Sequence, residues 1–211
     1  MTRSLTLVTP PTDEPVTLEE AKAWLRIDGD DDDDLITSLI TAARTAAEEY
    51  LRRSLISQSW RLTLDLACSG LRNLPEGVYD LPVSALYGDL GSVISLPKGP
   101  VSAISSVTTY DSSNNSSVFD SANYRVDTAG DRLILNSGAA WPSNIRPLSG
   151  CEVVYVAGYG EANDVPKPIR SGILIYVASL YEQRGMCDDA MALPAGTKSL
   201  YGPYRIMDYR G

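Results

Sequence analysis

The chain has 211 residues, of which 44% are hydrophobic and 21% charged, as in an ordinary globular protein with its own core. Eighteen basic against twenty-seven acidic residues give a net charge of −9, which argues against a protein whose main task is to grip nucleic acid. The absence of histidine excludes Ser–His–Asp and Cys–His catalysis and every metal site that needs imidazole. Any enzyme built on this chain would have to use carboxylates, lysine, tyrosine or cysteine.

The three cysteines, Cys68, Cys151 and Cys187, are far apart in the sequence and form no CxxC pair. We therefore predict no disulfide framework and no zinc site, and a reducing compartment is the simpler expectation. The N-terminus lacks the apolar run of a signal peptide, and no stretch reaches the roughly 18 apolar residues that span a bilayer. We expect a soluble chain that is made in a cytoplasm and has no membrane partner.

Residues 1–55 are predicted to form an N-terminal helical part. Thr17 and Glu20 have the spacing of a capping box, and the helix that they begin is expected to stop at Gly29. The last members of the aspartate run 30–34 are expected to cap a second helix and to complement its positive end. The second helix carries one apolar stripe, which consists of Ile36, Leu39, Ile40, Ala43, Ala47, Tyr50 and Leu51.

Residues 56–160 change to the two-residue period of half-buried strands, which predicts an inserted β-rich part. Trp60, Leu62 and Leu64 alternate with polar residues in a strand expected over 60–66. Turn sequences separate further strands, which are predicted at 93–96, 104–110, 124–126, 133–135 and 152–157. Residues 71–92 show no clear period and are predicted to form a long excursion. A loop of this length in a compact domain is usually functional or mobile.

Residues 161–187 are predicted to form a C-terminal helix, and residues 188–211 a tail that docks on another surface. Asp164 is an available cap for this helix, which begins near Pro166 and has an apolar stripe from Ile169 to Tyr181. The predicted class is therefore α+β. The N- and C-terminal helices pack as a small bundle, and the antiparallel β-rich unit is inserted between them.

None of the motifs that would indicate a catalytic or ligand-binding site is complete in this sequence. Counting from Asp28 or Asp30, no glycine falls at the sixth position and no glutamate at the twelfth, so the aspartate run is not an EF-hand loop. No phosphate loop, dinucleotide fingerprint or GxSxG elbow is present. Glu48 and Glu49 are adjacent on a helix and diverge, so they form no catalytic pair. The residues alone indicate a non-enzymatic interaction protein with no catalytic residue, metal or cofactor.

The order of these features resembles the head–tail adaptor (connector) family of long-tailed double-stranded-DNA bacteriophages and related gene-transfer particles. The resemblance covers nearly the whole chain and is most specific in the first sixty residues and at the junction that precedes the C-terminal helix. The stretches that carry it are 11–28 (PTDEPVTLEEAKAWLRID), 35–44 (LITSLITAAR), 50–60 (YLRRSLISQSW), 155–160 (YVAGYG), 165–166 (VP) and 200–205 (LYGPYR).

The resemblance implies a structural role in the virion, at the head–tail junction. Such adaptors assemble as a ring of about twelve copies under the portal protein, extend the DNA channel, and offer a platform to a stopper or tail-side connector protein. Double-stranded DNA would pass through without sequence-specific binding, and a ring of acidic chains gives a negative lumen that suits sliding. The family has no catalytic motif, so the resemblance implies no enzyme.

The resemblance also implies that a C-terminal segment grips the portal. The large side chains of the tail suit a peptide that orders on a neighbour, with Tyr201 and Tyr204 as anchors. The alternative is that this tail packs on its own helices. The residues of the expected portal-docking interface are Leu200, Tyr201, Pro203, Tyr204, Arg205 and Ile206.

Two other functions stay open at this point. A DNA-packaging factor such as a small terminase subunit would be favoured by a basic recognition helix, and none is visible in the sequence. A carboxylate-based hydrolase with a β-rich substrate domain would need a particular catalytic acid, and the sequence nominates none.

Overall fold

The structure, a computed structural model, describes residues 3–65, 90–183 and 193–206, and the chain divides into two units. The β unit contains Met1–Pro10 and Gln58–Ala157, and the helical unit contains Pro11–Ser57 and Gly158–Gly211. The mixed α+β class expected from the sequence is confirmed.

The described strands of the β unit form two antiparallel sheets. These strands are β1 (Arg3–Thr9), β2 (Gln58–Leu64), β3 (Val93–Ser95), β4 (Val101–Tyr110), β5 (Ser116–Val118), β6 (Tyr124–Asp127), β7 (Arg132–Leu135) and β8 (Cys151–Ala157). The larger sheet has the order β1-β2-β8-β4-β5, and the smaller has the order β3-β7-β6. The sheets position the loops of this unit around one core.

The strands predicted from alternation are present, and two further strands were missed. Residues 1–10 were expected within a helical part, and this is corrected because β1 pairs with β2 and sets Leu5 opposite Leu62. Thr6, Val8 and Thr9 are β-branched, which favours the extended backbone of a strand. β5 has only three residues, too few to show a period. Of the predicted excursion 71–92, residues 71–89 lie outside the described part of the chain.

The core of the β unit takes side chains from both sheets and from the loops. The Phe119 and Trp141 rings stack with their centroids 4.6 Å apart, and the Trp141 indole donates to the Gly91 carbonyl at 2.8 Å. The buried Tyr155 hydroxyl donates to the Pro97 carbonyl at 2.6 Å. Other buried core residues are Leu62, Leu64, Leu90, Ile94, Leu96, Val107, Leu133 and Val153.

The helical unit contains four described α-helices, none of which is long and apolar enough to cross a membrane. They are α1 (Leu18–Leu25), α2 (Asp33–Leu51), α3 (Lys167–Glu182) and α4 (Ala195–Tyr201). The predicted capping box is confirmed, since the Glu20 amide donates to the Thr17 hydroxyl and the Thr17 amide donates to the Glu20 carboxylate. α1 ends before the predicted stop at Gly29, because Arg26 adopts the left-handed conformation with φ 59°.

The aspartate run is fixed by contacts that the sequence did not reveal. Lys22 Nζ lies 2.8 Å from Asp30 Oδ1 and 2.7 Å from Asp33 Oδ1. Asp32 occupies the N-cap position of α2, but its side chain makes no capping hydrogen bond and instead accepts from the Tyr181 hydroxyl. The run therefore links the start of α2 to α1 and α3, in addition to complementing the helix dipole.

The core of the helical unit is built from the predicted apolar stripes, and a tyrosine from α4 completes it. The Tyr201 ring is fully buried, with its centroid 6.1 Å from that of Tyr50. It lies against Gly172 on α3, where a Cβ atom would be 2.4 Å from Tyr201 Cε1. Buried residues of α2 and α3 in the same core are Ile36, Ile40, Ala43, Ala47, Leu51, Ile169, Ile173, Tyr176 and Val177.

We expect Gly172→Ala to destabilise the protein. An alanine Cβ has no room beside the buried Tyr201 ring, and overpacking of this kind costs about 1–3 kcal/mol. Urea unfolding followed by circular dichroism measures the change in the free energy of unfolding. Gly196→Ala on α4 is the matched control, because a Cβ there meets nothing within 4 Å and alanine favours a helix by up to about 1 kcal/mol. Equal effects of the two substitutions would contradict the packing of Tyr201.

We also expect the Cys151 thiol to be unreactive in the folded protein. Burial, followed by the negative charge of Glu152, raises the pKa of Cys151 to about 12, so at pH 8 only about one thiol in ten thousand is ionised. Cys68 and Cys187 lie outside the described residues and would be replaced by serine. Iodoacetamide labelling at pH 8 should then be negligible in native buffer and complete in concentrated guanidinium chloride. Fast labelling of the native protein would refute this burial.

Candidate functional site

Residues 193–206, called here the C-terminal segment, are bound by their backbone to the end of α2. The Ile206 amide donates to the Leu51 carbonyl at 3.0 Å, and Arg53 Nε donates to the Tyr204 carbonyl at 2.6 Å. Leu51 is the last residue of α2, where helical carbonyls lack a partner within the helix. The segment therefore satisfies a polar group that the helix itself leaves open.

Side chains of the C-terminal segment also pack on α2. The Arg205 guanidinium lies 4.7 Å from the centroid of the Tyr50 ring, in the geometry of a cation–π contact. Arg205 Nε and the Tyr201 hydroxyl are both buried and make no hydrogen bond. Burial, with a smaller effect of Tyr176, raises the pKa of Tyr201 above its usual range, so the phenol stays neutral.

The residues predicted to dock on a portal differ in how exposed they are. Tyr201 is fully buried in the core of its own unit and Pro203 is exposed. The remaining half-buried members are Leu200, Tyr204, Arg205 and Ile206. Tyr201 therefore fits the alternative in which the tail packs on its own helices. Docking by the segment stays a prediction, and residues 188–192 and 207–211 of the predicted tail lie outside the described residues.

A groove of about 500 Å³ lies at the other end of the helical unit, where α1 and α2 meet the turn before α3. Asp13, Glu14 and Glu161 supply carboxylates to its wall, and buried Val16 and Ile40 form part of an apolar floor. The other lining residues are Thr17, Leu18, Thr37, Ala162 and Asn163. Sequence reasoning missed this groove because its two walls are more than a hundred residues apart in the chain.

A partly buried ion network holds one wall of the groove. Arg44 Nε lies 2.7 Å from Glu14 Oε2, and Arg44 Nη1 lies 3.1 Å from Glu48 Oε2. Glu48 is buried, and its other oxygen accepts from the Leu55 amide at 2.9 Å. The four-residue spacing between Arg44 and Glu48 is the signal in the sequence that could have revealed this ion pair on one helix face.

In the described parts of the chain, the arrangement supplies surfaces for binding. Among the residues that the structure describes, no three cysteine, aspartate or glutamate side chains come together to hold a metal ion. Asp30 and Asp33 of the aspartate run are both paired with Lys22. Trp24 lies on α1 with 51% of its surface exposed.

The fold is similar to chains solved in gene transfer agent (GTA) particles. A chain from the neck of an empty GTA particle, computed with C6 symmetry, is 23% identical over 99% of this chain and 98% of that chain, with a TM-score of 0.72. A chain from the virion of a native GTA particle is 24% identical over 98% and 97%, with a TM-score of 0.71. A chain from the neck of a native GTA particle, computed with C12 symmetry, is 24% identical over 99% and 98%, with a TM-score of 0.67.

At this level of identity these likenesses establish a shared fold. No curated protein matches the chain. The family comparison is more specific, because a model described as phage gp6-like head–tail connector protein matches residues 15–128, which is more than half of the chain. The chain therefore belongs to the phage gp6-like head–tail connector family.

Proposed function

We propose that this chain is the structural adaptor of a head–tail junction, which forms a ring of about twelve copies under the portal. The observation that carries this proposal is the family match over residues 15–128. The similar chains come from particle necks that were computed with C6 and C12 symmetry, which supports a ring of twelve. The ring would extend the DNA channel and offer its far side to a stopper or tail-side connector protein.

The charge of the chain suits a conduit for DNA. Twelve copies at −9 each carry about −108, and a negative lumen repels phosphate groups so that DNA slides without binding. A DNA-packaging factor or a hydrolase gains no comparable support. The sequence shows no basic recognition helix that would favour the first, and it nominates no catalytic acid that would favour the second.

We place the portal contact on the exposed part of the C-terminal segment. Tyr201 acts as its internal anchor, because the fully buried ring fixes the segment to α2 and α3. Exposed Pro203, with the part of Leu200 and Tyr204 that stays accessible while these side chains pack against the core, then forms the apolar part of the contact. A truncation that removes residues 198–211 would therefore remove Tyr201 from the core together with the proposed contact.

The adaptor role predicts that the chain binds the portal ring encoded beside it. In sedimentation of a mixture, the chain should move into the portal peak at about one copy per portal subunit. A bovine serum albumin mixture controls for non-specific co-sedimentation. A chain that stays in its own peak at every mixing ratio would contradict the adaptor role.

Placing the portal contact on the C-terminal segment predicts that Pro203→Glu weakens portal binding by about tenfold or more. A charge that must be buried in an apolar contact costs free energy on binding, whereas exposed Pro203 contributes little to folding. Val118→Glu introduces the same charge at a position that is 76% exposed in β5, and it is the matched control. If both variants and the wild type unfold at the same temperature and bind the portal with equal affinity, the C-terminal segment is not part of the portal contact.

A further inference from the structure

The groove lined by Asp13, Glu14 and Glu161 is called here the acidic groove. Two of its exposed carboxylates are not paired with a basic side chain among the described residues. Glu14, also in the groove wall, is already paired with Arg44. Asp13 accepts only from the Thr12 hydroxyl at 3.0 Å, and Glu161 forms a capping box with Asp164, so neither makes a salt bridge with a described residue. The wall therefore keeps two negative charges beside an apolar floor.

Two guanidinium groups at the far end of α2 lack a carboxylate. Arg53 bonds the Tyr204 carbonyl and Arg205 stacks on Tyr50, and neither forms a salt bridge within the described parts of the chain. These contacts fix both side chains at the end of the helix. The end of α2 and the C-terminal segment thus contribute one positive charge each, Arg53 and Arg205, in an acidic protein.

One copy cannot join these two groups. The groove is lined by Thr37 and Ile40, whereas Arg53 follows Leu51 at the end of α2. At roughly 1.5 Å per residue, the groove and the helix end are separated by about 16–21 Å along the axis. A salt bridge needs its atoms within about 4 Å, so the pairing is possible only between molecules.

We infer that the acidic groove of one copy receives Arg53 and Arg205 of a neighbouring copy, and that this contact builds the ring. A ring closes through two different surfaces of each molecule, and the groove and the arginines are such surfaces at opposite ends of one helix. An arginine has an aliphatic stem that covers apolar surface and a charged head that pairs with carboxylates. The groove offers both, with Val16 and Ile40 beneath Asp13 and Glu161. The contact rests on the ring proposed above.

Charge reversal in two separate variants tests this contact. The groove variant carries Asp13→Lys and Glu161→Lys, and the arginine variant carries Arg53→Glu and Arg205→Glu. Each variant alone places like charges in every contact and should associate at least about tenfold more weakly than the wild type. A one-to-one mixture restores opposite charges in every contact and should recover association. Sedimentation velocity at high concentration and low ionic strength measures all of these states without portal, and added salt should weaken those that associate.

A third variant controls for net charge. Glu19→Lys and Glu182→Lys change the charge by the same amount as the groove variant, at exposed positions that do not line the groove. This variant should associate at least as well as the wild type. Recovery in the mixture also shows that both reversed variants are folded.

Four results would overturn the inference. They are no association of the wild type, unimpaired association of either reversed variant alone, no recovery in the mixture, and an equal loss in the control variant. Portal binding is measured separately and tests the adaptor role itself. If the chain binds the portal normally but the mixture does not recover association, only the proposed contact between copies is wrong. If the mixture recovers association but the chain does not bind the portal, only the proposed portal partner is wrong.

Discussion

Burial of the Tyr201 ring against Gly172 closes the core of the helical unit, and the position of the C-terminal segment depends on it. The ring occupies space that exists only because α3 has no side chain at position 172. With the ring in place, the Ile206 amide reaches the Leu51 carbonyl at the end of α2. The C-terminal segment is therefore part of the fold up to Ile206, and the portal contact proposed for it would use a surface that is already formed.

The buried Glu48 carboxylate plays a similar part in the middle of the helical unit. It joins Arg44 on its own helix to the Leu55 amide in the chain that leaves α2. A buried carboxylate is stable only when it is paired and hydrogen-bonded, and Arg44 together with this amide meets that requirement. The same Arg44 fixes Glu14 in the groove wall, so the shape of the groove depends on an interaction inside the core.

Periodic elements could be predicted from the sequence, and elements defined by distant partners could not. The stripe on α2 and the Thr17–Glu20 capping box are local patterns, and both appear where expected. β1 carries little pattern of its own, since most of its side chains are exposed and its place is set by pairing with β2. The groove and the burial of Tyr201 require residues far apart in the chain to meet. The sequence could not show which of the six predicted docking residues are exposed, because their exposure depends on that burial.

A net charge of −9 makes close packing of identical copies unfavourable unless the charges are arranged. Part of the arrangement is internal, because Lys22, Arg44 and Arg170 each pair with carboxylates of their own unit. Screening by salt weakens the remaining repulsion between copies, since exposed charges farther apart than about 8–10 Å interact weakly at physiological salt. Repulsion between distant charges of a ring is then small, whereas charges in direct contact are screened less. Opposite charges at a contact between copies are therefore compatible with a negative lumen, and one acidic chain can serve both requirements.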